Sequence, residues 1–309
     1  MKSPALHLVS PVELPRGIHA IKTLPDSALG ALWDSIIVEP ALKDRLLSQA
    51  ILNYTLRPRI ARSDVPLHGV ILLVGEPGTG KTSLARGLAS KLAEVLASPG
   101  QTFRLIEVDP HALTSSAMGK TQRAVSELFS QTIAEHAAQG PTVVLLDEVE
   151  TLAVDRAKLS LDANPVDIHR ATDAVLVQLD ALAASHPQLL FIATSNFPQA
   201  IDDAFTSRCD LVMSVPLPDN KAVLQILRDC LGAIAQQFPL VSKLTQNDGL
   251  DAVAAAAAGL DGRAIRKVVV SAMAMDRRTA LDPNRLTLAD LQAAVAQLQA
   301  ARLSGKEQP

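Results

Sequence analysis

Short apolar runs recur through the middle of this chain, each followed by a polar turn and a longer stretch with helical spacing. Gly69–Val74, Phe103–Val108, Thr142–Leu146, Leu189–Ala193 and Leu211–Val215 read as strands, and most are apolar at consecutive positions, as strands buried on both faces are. Between them, Thr82–Leu96, Thr121–Gln139, Asp167–His186 and a short segment near Asp202–Ser207 carry helical patterns. Strand alternating with helix predicts an α/β fold: a parallel five-stranded sheet flanked by helices. After Pro216-Leu217-Pro218 the strands stop, and Lys221–Leu231, Leu250–Ala258, Gly262–Arg277 and Thr287–Leu303 all read as helices. That predicts a second, smaller all-α domain. Ahead of the first strand, Leu29, Leu32, Trp33 and Ile36, then Leu42, Leu46 and Leu47, mark helices separated at Pro40. Ile51–Leu67 continues as a helix and a proline-containing connector. Residues 1–25, rich in proline and small side chains, read as an arm. The expected division is 1–25 arm, 26–217 α/β domain and 218–309 helical domain.

Composition narrows the picture. The 309 residues suit two domains, and 48% apolar residues supply their cores. Aromatics make up only 3%, which favours helices over strands. A net charge of −3 leaves no basic excess to neutralise a phosphate backbone, arguing against nucleic acid as the main partner. The two cysteines, Cys209 and Cys230, show no pairing pattern and read as free thiols of a reducing compartment. The seven histidines lack metal-ligand spacing, so no zinc site is expected. Residues 1–15 do not read as a secretory signal, and the alanine-rich run 252–260 is too short to span a bilayer. A cytoplasmic protein without membrane contact is the expectation.

The first strand leads into Gly75-Glu76-Pro77-Gly78-Thr79-Gly80-Lys81-Thr82, followed by Ser83 and a helix. The spacing G-x-x-x-x-G-K-T lets backbone N–H groups wrap phosphates, since glycine has no Cβ to obstruct them. Lys81 would meet the outer phosphates of ATP, and Thr82 would offer its hydroxyl to Mg²⁺. The helix start aims its positive end at the same anion. A glycine turn that merely precedes Lys-Thr is the plainer alternative. By chance the bare pattern arises in on the order of one chain in a hundred. A second signal is Val143-Val144-Leu145-Leu146-Asp147-Glu148, a buried strand with two carboxylates at its C-terminal end, where ligands of parallel sheets bind. Asp147 would hold Mg²⁺ through water, and Glu148 would orient and deprotonate the attacking water. Asn196, after the strand Leu190–Ala193, is placed to bond the γ-phosphate or the water. Arg208 is a candidate to reach the γ-phosphate of a neighbouring subunit; the alternative is a surface arginine paired with Asp210. Arg263 begins a helix of the second domain and is a candidate to reach across to the nucleotide.

These pieces, in this order, resemble the AAA+ ATPases over about residues 27 to 300. Leu32-Trp33-Asp34-Ser35, Asp147-Glu148-Val149-Glu150, Thr194-Ser195-Asn196, Ile201-Asp202-Asp203-Ala204-Phe205 and Gly262-Arg263-Ala264-Ile265-Arg266-Lys267 look like the versions found in the pachytene-checkpoint-two family, also called thyroid hormone receptor interactor thirteen. The resemblance implies a homo-hexamer whose central pore engages a HORMA-domain protein and converts it from a closed to an open state. About 25 residues precede the core, as in the short bacterial members, whose HORMA partners serve cyclic-oligonucleotide anti-phage signalling. It also implies a pore loop at Ala117-Met118-Gly119, where Met118 stands in place of the usual aromatic residue. Lys158–Pro165 falls at a second pore loop, with Asp167, His169 and Arg170 opening the helix after it. A loader-like module that binds its partner without threading it is the competing reading; salt-sensitive duplex binding would distinguish it.

Overall fold

The computed structural model describes residues 14–113, 120–153 and 165–306. The pore-loop residues Ala117, Met118 and Gly119, and residues 158–164 of the second expected loop, lie outside that set. The elements run β1 (Ile18–Leu24), α1 (Ser27–Ser35), α2 (Pro40–Leu56), β2 (Val70–Val74), α3 (Lys81–Leu96), β3 (Phe103–Val108), α4 (Pro110–Leu113) and α5 (Lys120–Glu127). A π-helical insert, Leu128–Ile133, leads into α6 (Ala134–Gln139). There follow β4 (Thr142–Leu146), α7 (Pro165–Ser185), β5 (Leu189–Ser195), α8 (Asp203–Thr206) and β6 (Leu211–Ser214). The rest is helical: α9 (Asn220–Ala235), α10 (Ser242–Thr245), α11 (Gly249–Ala256), α12 (Gly262–Ala274), α13 (Arg277–Leu281) and α14 (Leu288–Lys306).

The sheet order is β1-β3-β4-β5-β2-β6. All pairings are parallel except that of β1 with β3. The five expected strands are therefore present, but the sheet has six. Residues 18–24, assigned to an arm by composition, instead form an antiparallel edge strand in which Ile21 lies opposite Ile106. The sequence Ile-His-Ala-Ile-Lys-Thr-Leu hides this because only its two ends are buried. An edge strand needs little apolar signal, and a register shift between Ile18 and Ala20 blurs what alternation there is.

Alternate residues of the parallel strands face two different cores. Val70, Leu72, Ile106, Val144 and Phe191 pack on one face with α5 and α7. Ile71, Leu73, Leu105, Val143 and Ile192 pack on the other with α1, α2 and α3. Double-sided burial explains the unbroken apolar runs. A third core, built on Val223, Leu227, Leu250, Ile265, Val268 and Leu291, unites the C-terminal helices. Among the described residues no helix is long and apolar enough to cross a membrane.

The lower end of β2 is pinned by Asp210, whose carboxylate accepts the N–H groups of His68, Gly69 and Val70 at 2.8, 2.7 and 3.1 Å. Across the second face, α1 lies against α3 at Gly87. A Cβ there would fall 2.7 Å from the backbone of Trp33. Gly87→Ala usually stabilises a helix interior by up to about 1 kcal/mol. Here the crowding reverses the sign, and the variant is expected to lose roughly 1–3 kcal/mol. Urea denaturation checks this; a stability gain would refute the close approach of α1 and α3.

Candidate functional site

A cleft of about 400 Å³ opens at the C-terminal ends of β2, β4 and β5, where the sheet meets the C-terminal helices. Its floor is the 75–82 turn. Gly78 and Gly80 have φ of +82° and +94°, conformations that side chains rarely adopt. A Cβ on Gly78 would fall 2.2 Å from the Asp261 carboxylate, and one on Gly80 would fall 2.7 Å from Ile36. The glycines are thus required both by backbone shape and by what crowds them. α3 begins at this turn, and its N-cap residue, Gly80, offers no side-chain acceptor. By contrast α1, α9 and α12 are capped by Asp26, Asp219 and Asp261. The orphan N–H groups of α3 therefore face the cleft together with the positive end of its dipole, which is a site for an anion.

Lys81 is 5% exposed. Its ammonium donates to the Gly75 and Glu76 carbonyls at 2.9 and 2.8 Å and to Asn196 Oδ1 at 2.8 Å. Burial lowers its pKa, and the Glu150, Asp147 and Glu148 carboxylates oppose that shift. Asn196 turns its amide nitrogen to Glu148 Oε1, 3.2 Å away. Its own backbone N–H donates to Glu150 Oε1 at 3.1 Å. Asn196 therefore joins the cation of one strand end to the candidate base of another. Thr82 donates its hydroxyl to Asp147 Oδ1 at 2.8 Å, and Thr194 donates to the same oxygen. Thr194 Oγ1 also accepts the Glu148 N–H at 3.1 Å. Glu148 itself is left-handed, with φ 53° and ψ 53°, the one positive-φ residue other than glycine among those described. A long side chain pays for that conformation only where surrounding bonds over-determine it.

Arg263 lines the cleft at the start of α12. Arg208 is a different case. Its guanidinium donates to Asp180 Oδ2 from Nε and Nη2 at 3.1 and 2.7 Å, and to the Ala204 carbonyl at 2.7 Å. Its partner is thus Asp180 on α7 and not Asp210, which is engaged with the β2 amides. Arg62 holds the other oxygen of Asp180 at 2.9 Å. Sequence reasoning did not single out several cleft residues: Ser35 at the end of α1, Ile36 and Ile37 after it, Pro218, Ile226 on α9, and Arg266 on α12. Arg266 reaches back to the Ser35 carbonyl at 2.8 Å. Ser35 and Arg266 fall inside motif stretches quoted above and Ile36 inside a helical pattern, but nothing in those patterns marks them as cleft residues; Ile37, Pro218 and Ile226 carry no local signal of that role.

Residues 71–217 match the family described as AAA, ATPase family associated with various cellular activities. The chain is 63% identical over 299 residues to CD-NTase-associated protein 6 of Pseudomonas aeruginosa, covering 97% of this chain and 98% of that protein. It is 37% identical over 229 residues to the pachytene checkpoint protein 2 homolog of Oryza sativa, covering 73% of this chain and 47% of that longer protein. Among solved structures, C. elegans PCH-2 superposes with a TM-score of 0.73 at 25% identity, over 92% of this chain and 75% of that one. A chain of the E. coli MS115-1 HORMA:CdnC:Trip13 complex does so with a TM-score of 0.70 at 17% identity, over 90% and 94%.

Two outcomes follow from the site's bonds alone. Thr194→Val removes both the hydroxyl bonded to Asp147 and the acceptor of the Glu148 N–H. It is expected to cost roughly 2 kcal/mol in urea denaturation, with Thr194→Ser near the parent. The Asp180 carboxyl is held below its ordinary 3.8 first by the Arg208 hydrogen bond, against burial, and then by Arg62. A depressed folded value means the pair's stabilisation is complete above the ordinary value and disappears as pH falls through the lower one. Asp180→Asn is thus expected to cost about 1 kcal/mol at pH 7, screened by its exposure, with the gap narrowing toward pH 3. A gap that does not change with pH would mean the ion pairs contribute nothing.

Proposed function

Because this chain belongs to the AAA ATPase family, with CD-NTase-associated protein 6 and the pachytene checkpoint protein 2 homologues among its relatives, we propose that it hydrolyses ATP to remodel a HORMA-domain protein. The client is converted from its closed to its open state, which down-regulates cyclic-oligonucleotide anti-phage signalling. The working form is a homo-hexamer, with the α/β part to about residue 217 as the nucleotide-binding domain and residues 218–309 as its lid. The HORMA protein acts bound to a cyclic-oligonucleotide synthase. The names of a 63%-identical relative and of the HORMA:CdnC:Trip13 complex support this choice of partner.

The observation that carries the reading is the Asn196 bridge between Lys81 and Glu148. In a cleft floored by uncapped helix amides, it sets a cation for the phosphates beside a base for water. Gly75 through Ser83 would wrap the phosphates. Thr82 and Asp147, already 2.8 Å apart, pair a hydroxyl with a carboxylate and so fit Mg²⁺, which when bound supplies charge neutralisation at the phosphates. Ile36 and Ile226 offer the apolar walls a purine base needs.

Glu148 takes the proton of the attacking water as oxygen bonds to the γ-phosphorus, and the bond to ADP breaks. Asn196 keeps that carboxylate directed into the cleft. Arg263 couples the phosphate state to the lid. Arg208, released from Asp180, stabilises the transferring phosphoryl group of the adjoining subunit. Residues 117–119 contact the threaded client.

Glu148→Gln keeps the shape of the side chain and removes its basicity. It is expected to bind ATP with parent affinity, to hold the oligomer and the HORMA client, and to lose at least about a hundredfold in turnover. Phosphate release and client co-purification measure both sides. Parent-like hydrolysis would remove Glu148 as the base.

A further inference from the structure

Glu148 faces a second cavity as well as the nucleotide cleft. This space, of about 200 Å³, is lined by Asp147 and Glu148 on one side and by His19, Arg86, Glu107 and His111 on the other. Arg86 and Glu107 answer each other across 2.6 Å, and Glu107 is 4% exposed, so neither is available to Glu148. His111 is. Its Nε2 stands 3.3 Å from Glu148 Oε2. The ring is carried on the short α4 turn, where Asp109 Oδ1 accepts the His111 backbone N–H at 3.0 Å and fixes the entry of the chain.

Resting on the ATPase reading, the geometry points to His111 as a positioning residue for Glu148. The carboxylate has one oxygen on the Asn196 amide, toward the nucleotide, and the other on the imidazole, away from it. Two donors on opposite sides define the plane of a carboxylate that one donor leaves free to turn. With hydrogen on Nε2, His111 donates to Glu148 Oε2 and leaves the carboxylate's remaining lone pairs for the water site. Glu148 sits in a left-handed turn after β4, outside helix and strand, so its side chain takes its direction from such contacts. His111 acts through Glu148 and touches no reacting atom. A largely exposed ring on a surface turn, 66% accessible, that meets Glu148 only in passing is the alternative.

His111→Phe keeps a ring and removes the donor; His111→Gln restores an amide donor at similar reach. On the full-length chain, His111→Phe is expected to lower kcat about tenfold with KM and fluorescent-ATP affinity unchanged, and His111→Gln to recover to within about threefold. In a Glu148→Gln background, His111→Phe is expected to add no further loss. The nucleotide-free chain supplies a readout without turnover: the imidazole ¹⁵N resonance missing in His111→Gln is expected to shift in Glu148→Gln.

Turnover indifferent to His111→Phe, a loss of ATP affinity matching the loss of kcat, failure of His111→Gln to rescue, or an unmoved resonance would each overturn the positioning role while leaving the ATPase reading intact. Absence of turnover in the unmodified chain would instead remove that reading, and this role with it.

Discussion

One oxygen of Asp147 receives the hydroxyls of two threonines, Thr82 from the start of α3 and Thr194 from the end of β5. The rest of the site is organised around that clasp. Three chain segments more than forty residues apart in sequence meet at a single acceptor. A partly buried carboxylate is costly unless its lone pairs are used, and here the hydroxyls use them. Thr194 then passes the constraint on through the Glu148 N–H, which holds the following residue in its left-handed turn. Without the clasp nothing would oblige the chain to leave β4 at that angle, and Glu148 would not point where Asn196 can reach it.

The C-terminal helices join the same arrangement from the other side. Asp261 caps α12 with one oxygen and accepts from Arg302 of α14 with the other. The same side chain lies against Gly78, with no room for even a methyl group between them. The 75–82 turn and the helix carrying Arg263 thus share an interface at a single aspartate. Arg266 adds a second tie through the Ser35 carbonyl. The cleft walls come from both parts of the fold, so neither part makes the pocket alone.

Much of this was legible beforehand because its cause is local or strongly periodic. The parallel strands declared themselves through apolar runs that only double-sided burial produces. The 75–82 turn and the Asp147-Glu148 pair follow from spacing and from the ends of strands. β1 was not legible, since an edge strand with two buried residues looks like a connector. Nor was the partner of Arg208: Asp210 is its near neighbour in sequence, yet that carboxylate is committed to three backbone amides, and the contact falls to Asp180 on a distant helix. The Thr82–Asp147–Thr194 clasp and the nearness of His111 to Glu148 are tertiary facts. They depend on how far each strand projects, which no pattern along the chain encodes.

The three amides bound by Asp210 give β2 a firm footing. That strand is hydrogen-bonded along both edges and spans roughly 17 Å before it becomes the glycine turn. Arg208 stands two residues from the footing. A stiff rod braced on both flanks bends poorly and transmits well. Arg208 and the glycine turn therefore stand at opposite ends of one braced strand, so their spacing is set by the sheet and not by the loops around them.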